Sequence, residues 1–133
     1  GVEEGPWTGW FRSGSKRFEG SYQDGKEDQA WTTWHDGGQK QSSGRYEVGK
    51  KVGKWTWWHR NGAVKETGAY EDGKATGIWT AHHANGQKSR EGRFDAKGRQ
   101  GKWTFWRDNG EVWREALYKD GVDTTQKGSV PKN

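Results

Sequence analysis

The sequence contains no cysteine and no methionine, and it has few of the aliphatic residues that fill most protein cores. Without cysteine, neither a disulfide framework nor a thiolate metal site can form. Val, Ile and Leu together number nine in 133 residues, and no apolar run approaches the ~18 residues of a membrane-spanning helix. Because the chain starts without methionine, we expect a mature or trimmed form. With the lack of cysteine, this slightly favours a periplasmic or surface location over the cytoplasm.

Aromatic residues take the place of the missing aliphatic ones. A mean hydropathy of -1.40 with 31% charged residues is typical of disordered chains, which cannot offset the entropy lost on ordering. However, the chain has 11 Trp, 4 Tyr and 4 Phe, and each buried aromatic side chain removes roughly 150–250 Å² from water. We therefore predict an ordered protein with a thin, aromatic core. The net charge of +5 is spread along the chain, and by itself it indicates only that acidic partners are tolerated.

A repeat of 24 residues organises the sequence. A Trp-Thr pair, a Gly seven residues later and a Tyr or Phe fifteen residues later recur in five units, 5–28, 29–52, 53–76, 77–100 and 101–124. The remainder is a lead, 1–4, and a polar tail, 125–133, that we expect to be disordered. The recurring aromatic residues are assigned a structural role; they are Trp7, Trp31, Trp55, Trp79, Trp103, Tyr22, Tyr46, Tyr70, Phe94 and Tyr118.

Each unit has two turn signals, which indicate a β-hairpin and a tight connection to the next one. Asn61-Gly62 and its equivalents predict two-residue type I′ turns, in which both central residues have positive φ. Asp72-Gly73 and its equivalents mark the second turn, and Val48-Gly49 is a weaker copy. The segments between turns suit strands and not helices. The fold class is therefore all-β: a single-layer antiparallel meander of about ten strands, elongated and coiled.

The turns also predict the strand register and the two faces of the sheet. A two-residue Asn-Gly loop places Trp55 opposite Gly68 and Tyr70 opposite Gly53, so that each ring covers a cross-strand glycine. Alternation of side chains then puts the structural aromatics with Phe11, Phe18, Trp57 and Phe105 on one face. The opposite face receives Trp10, Trp34, Trp58, Trp106 and Trp113. We expect the richer face to be partly self-buried and partly an open groove.

No catalytic, metal or cofactor site is predicted. His35, His59 and His83 share one repeat position, which spaces them by roughly 9.5 Å with parallel side chains, so they cannot easily converge on one zinc ion. The recurring carboxylates form a solvated ladder instead of the unique pocket that catalysis needs. The basic stretch 88–102 is read as a solvated strand face, so nucleic-acid binding is not expected. We therefore expect a non-enzymatic protein.

The repeat pattern resembles the MORN-variant repeat found in bacterial proteins described as YwqK-family antitoxins. That pattern is matched in full in the third unit, at Gly53, Trp55, Trp58, Asn61, Gly62, Gly68, Tyr70 and Gly73. The resemblance implies hairpins in an elongated single-layer sheet and a non-catalytic interaction module, or scaffold, with an antitoxin or immunity role. Gln29, His82, Lys97 and Ala116 depart from the pattern.

The side chains expected to bind a partner are Trp10, Trp34, Trp58 and Trp106, because the face that carries them has few other large apolar residues. Trp is prominent among residues that dominate protein interfaces, and a row of exposed rings should attract a protein partner. The alternative is a glycan or cell-wall ligand, since sugars stack on flat, exposed rings. The partner's identity and the oligomeric state stay open.

Overall fold

A computed structural model of the protein describes residues 3–125 as one antiparallel sheet. Eleven strands follow one another in the sheet in chain order, and within the described residues β1 does not pair with β11. The sheet is therefore an open all-β meander, as predicted, with ten long strands and a short eleventh. The strands are β1 Gly5–Trp10, β2 Lys16–Gln23, β3 Lys26–Trp34, β4 Lys40–Glu47, β5 Lys50–Trp58, β6 Val64–Glu71, β7 Lys74–His82, β8 Lys88–Asp95, β9 Gly98–Trp106, β10 Val112–Lys119 and β11 Val122–Asp123.

Three of the four turns that join consecutive units have the conformation expected of two-residue type I′ loops. In the fourth, after Asp95, neither Ala96 nor Lys97 has a positive φ, and Gly98 has a φ of 114°. Asp72 and Gly73 have φ of 52° and 83° and join Glu71 to Lys74, which pair directly. Asp tolerates this left-handed region better than most residues. Val48 adopts the same conformation, with a φ of 48°, although its branched side chain disfavours it.

The Asn-Gly turns are different from the prediction, which was wrong about their type. Gly62 donates its N–H to the carbonyl of His59, and His59 donates to Ala63. The loop therefore has three residues, 60–62, and among them only Gly62 has a positive φ. This is a type I turn followed by a glycine bulge. The side chain of Asn61 caps it by accepting a hydrogen bond from the Ala63 N–H.

The predicted register is nevertheless confirmed in all five units. Trp7 pairs with Gly20, Trp31 with Gly44, Trp55 with Gly68, Trp79 with Gly92 and Trp103 with Ala116. The longer loop pairs Trp58 with Val64, and a bulge at Lys65 then restores the pairing of Trp57 with Glu66. A third loop residue and a bulge residue offset one another, so the register equals that of a two-residue loop.

The glycine that each Trp covers is not the one with which it pairs. The indole of Trp55 lies over Gly44 of the preceding unit, where an added Cβ would be 2.1 Å from the ring. Gly20, Gly68 and Gly92 lie under Trp31, Trp79 and Trp103 in the same way. The prediction that rings cover the glycines opposite them in their own hairpins was wrong. Where one unit meets the next, the strand pairing is irregular at the covered glycine. This irregularity lets the indole lie flat on the backbone.

The glycines that pair with the Tyr residues and with Phe94 have a conformational role instead. Around Gly53 and Gly77 an added Cβ would meet nothing within 4 Å, so no ring covers them. Their φ values are 68° and 72°, a region that glycine adopts without the steric cost of a side chain. Gln29 occupies the equivalent position in the second unit with a φ of 63°.

The core is a continuous row of aromatic rings along one face of the sheet, which we call the ladder face. Trp31, Trp55, Trp79 and Trp103 are buried, and each donates its indole N–H to a backbone carbonyl of the preceding unit. Tyr and Phe rings lie between them edge-on, with centroids 5.1–6.4 Å apart. The ladder face thus buries its own Trp rings without a second layer, while the Tyr rings stay half-buried.

The structure corrects the face that was predicted for Trp113. Trp113 was assigned to the opposite face, but its ring contacts Phe105 at a centroid distance of 6.0 Å, because a bulge between Val112 and Arg114 interrupts the alternation. Within residues 3–125 no helix is long and apolar enough to cross a membrane. The expectation of disorder in the tail 125–133 falls almost entirely on 126–133, outside the described residues.

Candidate binding surface

The face opposite the ladder face, which we call the outer face, carries a row of alternating Trp and basic residues. Trp10 pairs with Lys16 and Trp34 with Lys40, and His82 pairs with Lys88 where the row of Trp is interrupted. Val64 and Val112 take the Lys position opposite Trp58 and Trp106. The four Trp residues predicted to bind a partner therefore lie in one row across the sheet. We call this row, with Lys16, Lys40 and Lys88, the Trp-Lys row.

Each lysine of the row lies against the Trp of the next unit. The Nζ atoms of Lys16, Lys40 and Lys88 are 5.6, 5.9 and 5.8 Å from the ring centroids of Trp34, Trp58 and Trp106. These are cation–π distances. As a result the three rings are half-buried, whereas Trp10, without a preceding lysine, is 58% exposed.

A row of Thr, Ser and Glu residues, which we call the polar row, lies beside the Trp-Lys row. Thr32 pairs with both Glu19 and Ser43, Thr56 with both Ser43 and Thr67, and the pattern continues to Glu115. Two of the acids in this row pair with lysines of the Trp-Lys row, Glu19 with Lys16 and Glu91 with Lys88. These acids neutralise part of the basic charge on the outer face.

Further basic residues line the other side of this polar row. Side-chain alternation places the exposed residues Arg45, Lys54, Arg93 and Lys102 on the outer face. Lys102 pairs with Glu115, but Arg45, Lys54, Arg93 and Lys40 form no ion pair with another described residue. The outer face therefore has a surplus of positive charge and half-buried rings between its charges.

A cleft of about 400 Å³ opens where the first two units meet, next to Trp34. Phe11 and Phe18 form its apolar walls, and Arg17 and Arg60 supply positive charge. The guanidinium of Arg17 lies 5.7 Å from the ring of Phe11. The later units cannot repeat this cleft, because they have His or Arg at the position of Phe11 and polar residues at the position of Phe18.

The histidines connect neighbouring units. The Nε2 atoms of His35, His59 and His83 are within hydrogen-bond distance of the backbone carbonyls of Trp58, His82 and Trp106. With the proton on Nε2, each imidazole donates to the next unit. No group of three potential metal ligands occurs among residues 3–125.

Two carboxylates of the polar surface have lowered pKa values. The hydroxyl of Thr80 donates to Glu91 at 2.7 Å, and this hydrogen bond is the largest cause of the lowered pKa of Glu91, with Lys88 contributing. Hydrogen bonds from Ser13 and Ser15 lower the pKa of Asp36, which also lines the cleft beside Trp34. These contacts hold both acids ionised.

The sequence located the four Trp residues of the outer face but missed what surrounds them. The lysines were detectable, because Lys16, Lys40 and Lys88 occupy one position of the 24-residue period. The cleft was not detectable from the sequence, because it depends on Phe11, Phe18 and Arg60, which different turns and strands bring together. Whether the four Trp residues bind a partner stays a prediction.

Comparison with known proteins supports the repeat type. Two segments, 51–74 and 99–120, match the family described as MORN repeat variant. No curated protein matches the chain. Among solved structures, one similar chain comes from "Crystal structure of accessory secretory protein 1,2 and 3 in Streptococcus pneumoniae", with a TM-score of 0.42 and 11% identity. The similarity covers 84% of this chain and 19% of that one.

Proposed function

We propose that the protein is a non-catalytic module that binds an acidic protein partner on its outer face. The observation that carries this proposal is the Trp-Lys row, in which a lysine of the preceding unit lies against each of three half-buried rings. Trp supplies large contact area at low entropic cost, and it is enriched among the residues that dominate interfaces. The match to the MORN repeat variant supports an interaction role, because repeats of this kind serve mainly as interaction modules.

The charge of the outer face favours a partner with a negative surface. Lys40, Arg45, Lys54 and Arg93 are left without an ion pair among the described residues, and unpaired basic groups steer acidic partners and speed their association. The cleft beside Trp34 also carries more positive than negative charge, from Arg17 and Arg60 against Asp36, although its apolar walls, Phe11 and Phe18, belong to the ladder face. An acidic segment that contacts the Trp-Lys row fits the charge of the outer face. An antitoxin or immunity role, in which the partner is a toxin, is one form of this proposal.

A glycan ligand is the second candidate. Trp10 is 58% exposed and could stack on a sugar ring. We place this candidate second, because lysine ammonium groups lie over the rings of Trp34, Trp58 and Trp106. A sugar would have to displace those lysines, two of which are held in place by ion pairs with Glu19 and Glu91.

The test compares the wild-type protein with a Trp34→Ala/Trp58→Ala variant in affinity capture from nuclease-treated extract of the source cell. We expect a protein retained by the wild type and lost by the variant. The purified partner should bind more weakly as salt rises, since screening reduces the attraction between surface charges. Trp113→Ala is the matched control, because Trp113 is 53% exposed but lies outside the Trp-Lys row.

Three results would contradict the proposal. Equal capture by wild type and variant would place the binding elsewhere. Binding of purified wild type to polysaccharide, with no protein retained, would favour the glycan alternative. Near-ultraviolet circular dichroism and thermal melts must also show the variant folded; an unfolded variant would mean that these rings are part of the core.

A further inference from the structure

A small residue forms part of the floor of the cleft between the first two units. Thr33 lies on the ladder face, where it pairs with Phe18 of the first unit and with Ser42 of its own hairpin. The third and fifth units have Trp57 and Phe105 at the equivalent position. The ring of Trp57 fills the space between two repeat Trp rings, at centroid distances of 5.9 and 5.7 Å. Thr33 leaves the corresponding space open, and the cleft of about 400 Å³ lies there.

The first and fourth units cover this position in different ways. In the fourth unit the residue is Ala81, and Glu66 and Arg90, which pair with Ala81 on either side, join over it in an ion pair of 2.8 Å. In the first unit the residue is Gly9, and the ring of Phe18 lies so close to Gly9 that an added Cβ would collide with it. The second unit is therefore the one in which this position stays uncovered.

Two phenylalanine rings of the first unit form the apolar wall of the cleft. Phe11 replaces the histidine that binds a carbonyl of the next unit in the three middle units, so the first unit has an apolar ring in place of that hydrogen bond. The ring of Phe18 is nearly parallel to that of Trp31, at 22° and 5.8 Å between centroids. Because an apolar cavity of about 150 Å³ already admits benzene, the cleft has space for a ring and a polar group.

The charged groups of the cleft favour an anion. Arg17 and Arg60 line it, and neither forms an ion pair with another described residue. The opposing charge is that of Asp36, whose Oδ1 atom already accepts hydrogen bonds from the hydroxyls of Ser13 and Ser15 at 2.6 and 3.0 Å. Two guanidinium groups thus stand against one carboxylate, and the planar guanidinium group matches the geometry of a carboxylate.

The neutral polar groups of the cleft add a donor. Oε1 of Gln41 accepts a hydrogen bond from the Thr33 hydroxyl at 3.2 Å, and the Gln41 NH2 group has no partner among the described residues. Nε2 of His35 is occupied by the carbonyl of Trp58 at 3.0 Å. The free donors of the cleft therefore belong to Gln41 and the two arginines, and an ionised carboxylate accepts hydrogen bonds from both kinds of group.

We propose that this cleft binds an aromatic acid, in which one planar ring carries a carboxylate on a short chain. The ring packs against Phe11 and Phe18, and the carboxylate accepts hydrogen bonds from Arg17, Arg60 and the Gln41 amide. The ring and the carboxylate can belong to a free acid or to the C-terminal residue of a polypeptide, and the experiment distinguishes these two sources. This ligand is distinct from the partner proposed for the Trp-Lys row, and neither site depends on the other.

The test titrates the 133-residue protein with hydrocinnamate, a phenyl ring joined to propionate, and follows the indole N–H signals by nuclear magnetic resonance. The Trp34 signal, identified from a Trp34→Phe variant, reports on the cleft because Trp34 is part of its lining. We expect saturable shifts with a Kd below about 5 mM. Two probes that each lack one feature should bind at least about fivefold more weakly: phenylpropylamine, which reverses the charge, and propionate, which lacks the ring.

Three variants test the lining of the cleft. Arg17→Gln and Arg60→Gln should each weaken the binding of hydrocinnamate at least about threefold, since each removes a charge-assisted hydrogen bond. Thr33→Trp should abolish binding, because it places in the cleft the residue that the third unit has at this position. Lys65→Gln is the matched control and should leave binding unchanged, because Lys65 occupies the repeat position of Arg17 but lies outside the cleft.

The peptide Gly-Gly-Phe carries the same ring and carboxylate at the end of a chain. If it binds at least as tightly as hydrocinnamate, the ligand is a polypeptide terminus, and if it binds more weakly, the ligand is a free acid. Equal binding of hydrocinnamate, phenylpropylamine and propionate, unchanged affinity of both arginine variants, or no saturable shift up to about 20 mM would each overturn the proposal. Thermal melts establish whether Thr33→Trp is folded; both arginines are exposed, so their variants test the proposal even if it is not.

Discussion

The indole of Trp79 lies against Gly68, and its N–H donates to the carbonyl of the next residue, Ala69, at 3.2 Å. Gly68 belongs to one repeat unit and Trp79 to the following one, so this contact joins units and does not stabilise a single hairpin. The same contact recurs at the other three junctions between full units. The repeat is thus held together by four identical Trp–Gly contacts, and each unit depends on its neighbours.

The first prediction concerns the space between the Trp79 ring and Gly68. Gly68→Ala should lower the free energy of unfolding by about 3 kcal/mol, because the new Cβ would be 2.1 Å from the buried Trp79 ring. Ala116→Gly is the control at the equivalent position, where no ring follows, and it should cost only about 1 kcal/mol. Chemical denaturation measures both. If the two variants lose similar amounts of unfolding free energy, Gly68 is required for a reason other than the space under the Trp79 ring.

The second prediction concerns the position of a Trp along the array. Trp55→Ala should cost about 3–5 kcal/mol, as for buried aromatic residues generally, because Trp55 is only 3% exposed and contacts Gly44 and Tyr46 of the preceding unit. Trp7→Ala should cost much less, since Trp7 is 45% exposed. Denaturant melts of the two variants check this. A loss at Trp7 as large as that at Trp55 would mean that the first unit is more tightly packed than its exposure indicates.

The third prediction concerns backbone strain at Val48. This residue has a φ of 48°, which costs a side chain with a branched Cβ roughly 1–2 kcal/mol. Val48→Asn should therefore raise the free energy of unfolding by about 1 kcal/mol. Asn is preferable to Asp here, because the nearby Asp28 carboxylate accepts the Val48 N–H.

The reverse change, Asp24→Val, serves as the control, since Asp24 has the same conformation, with a φ of 51°. It should destabilise the protein by a similar amount. Val48 is 61% exposed, so its replacement removes little buried surface. If Val48→Asn leaves the melting temperature unchanged, the turn accommodates the branched side chain without strain.

The fourth prediction concerns pH. The lowered pKa of Glu91 means that its contribution to stability is present above its ordinary pKa of 4.5 and is lost as the pH falls through the lower folded value. Glu91→Gln should therefore be less stable than the wild type at pH 7, by at most about 1 kcal/mol for this partly exposed group. The difference should disappear near pH 2.

Thr80→Val removes the hydroxyl that is the main cause of the lowered pKa. Combined with Glu91→Gln, it should cost less than the sum of the two single changes at pH 7. Urea titrations at several pH values measure these differences. Strict additivity of the two changes, or a difference that persists unchanged to pH 2, would assign the stability to other groups.

The sequence predicted the register well because the period itself carries the information. Five Trp residues at intervals of 24 and a turn signal between each pair of strands leave one way to align each hairpin. The turn type was predicted less well: Asn61-Gly62 suits a two-residue loop, but the chain forms a three-residue loop and inserts a bulge at Lys65. The turn preferences of Asn and Gly do not distinguish a two-residue loop from a three-residue loop followed by a bulge, since both give the same register beyond the bulge.

The candidate binding surface was predicted only in part. Alternation along the strands assigned Trp10, Trp34, Trp58 and Trp106 to the outer face, but it misplaced Trp113, where a bulge breaks the alternation. The lysines that lie over the rings come from the preceding unit and therefore depend on contacts across strands. The cleft beside Trp34 depends on several loops at once and has no signature in the sequence.

By itself, the sequence determined the number of repeat units, the all-β class and the pairing within each hairpin, since these follow from a period, from turn residues and from the alternation of side chains. Only the tertiary structure decided which glycine each Trp covers. The glycine in a Trp residue's own hairpin and that of the preceding unit are both within reach, and the sequence pattern is the same for both. The irregular junction between units selects the preceding one, where the flat indole lies on the backbone and finds an acceptor for its N–H.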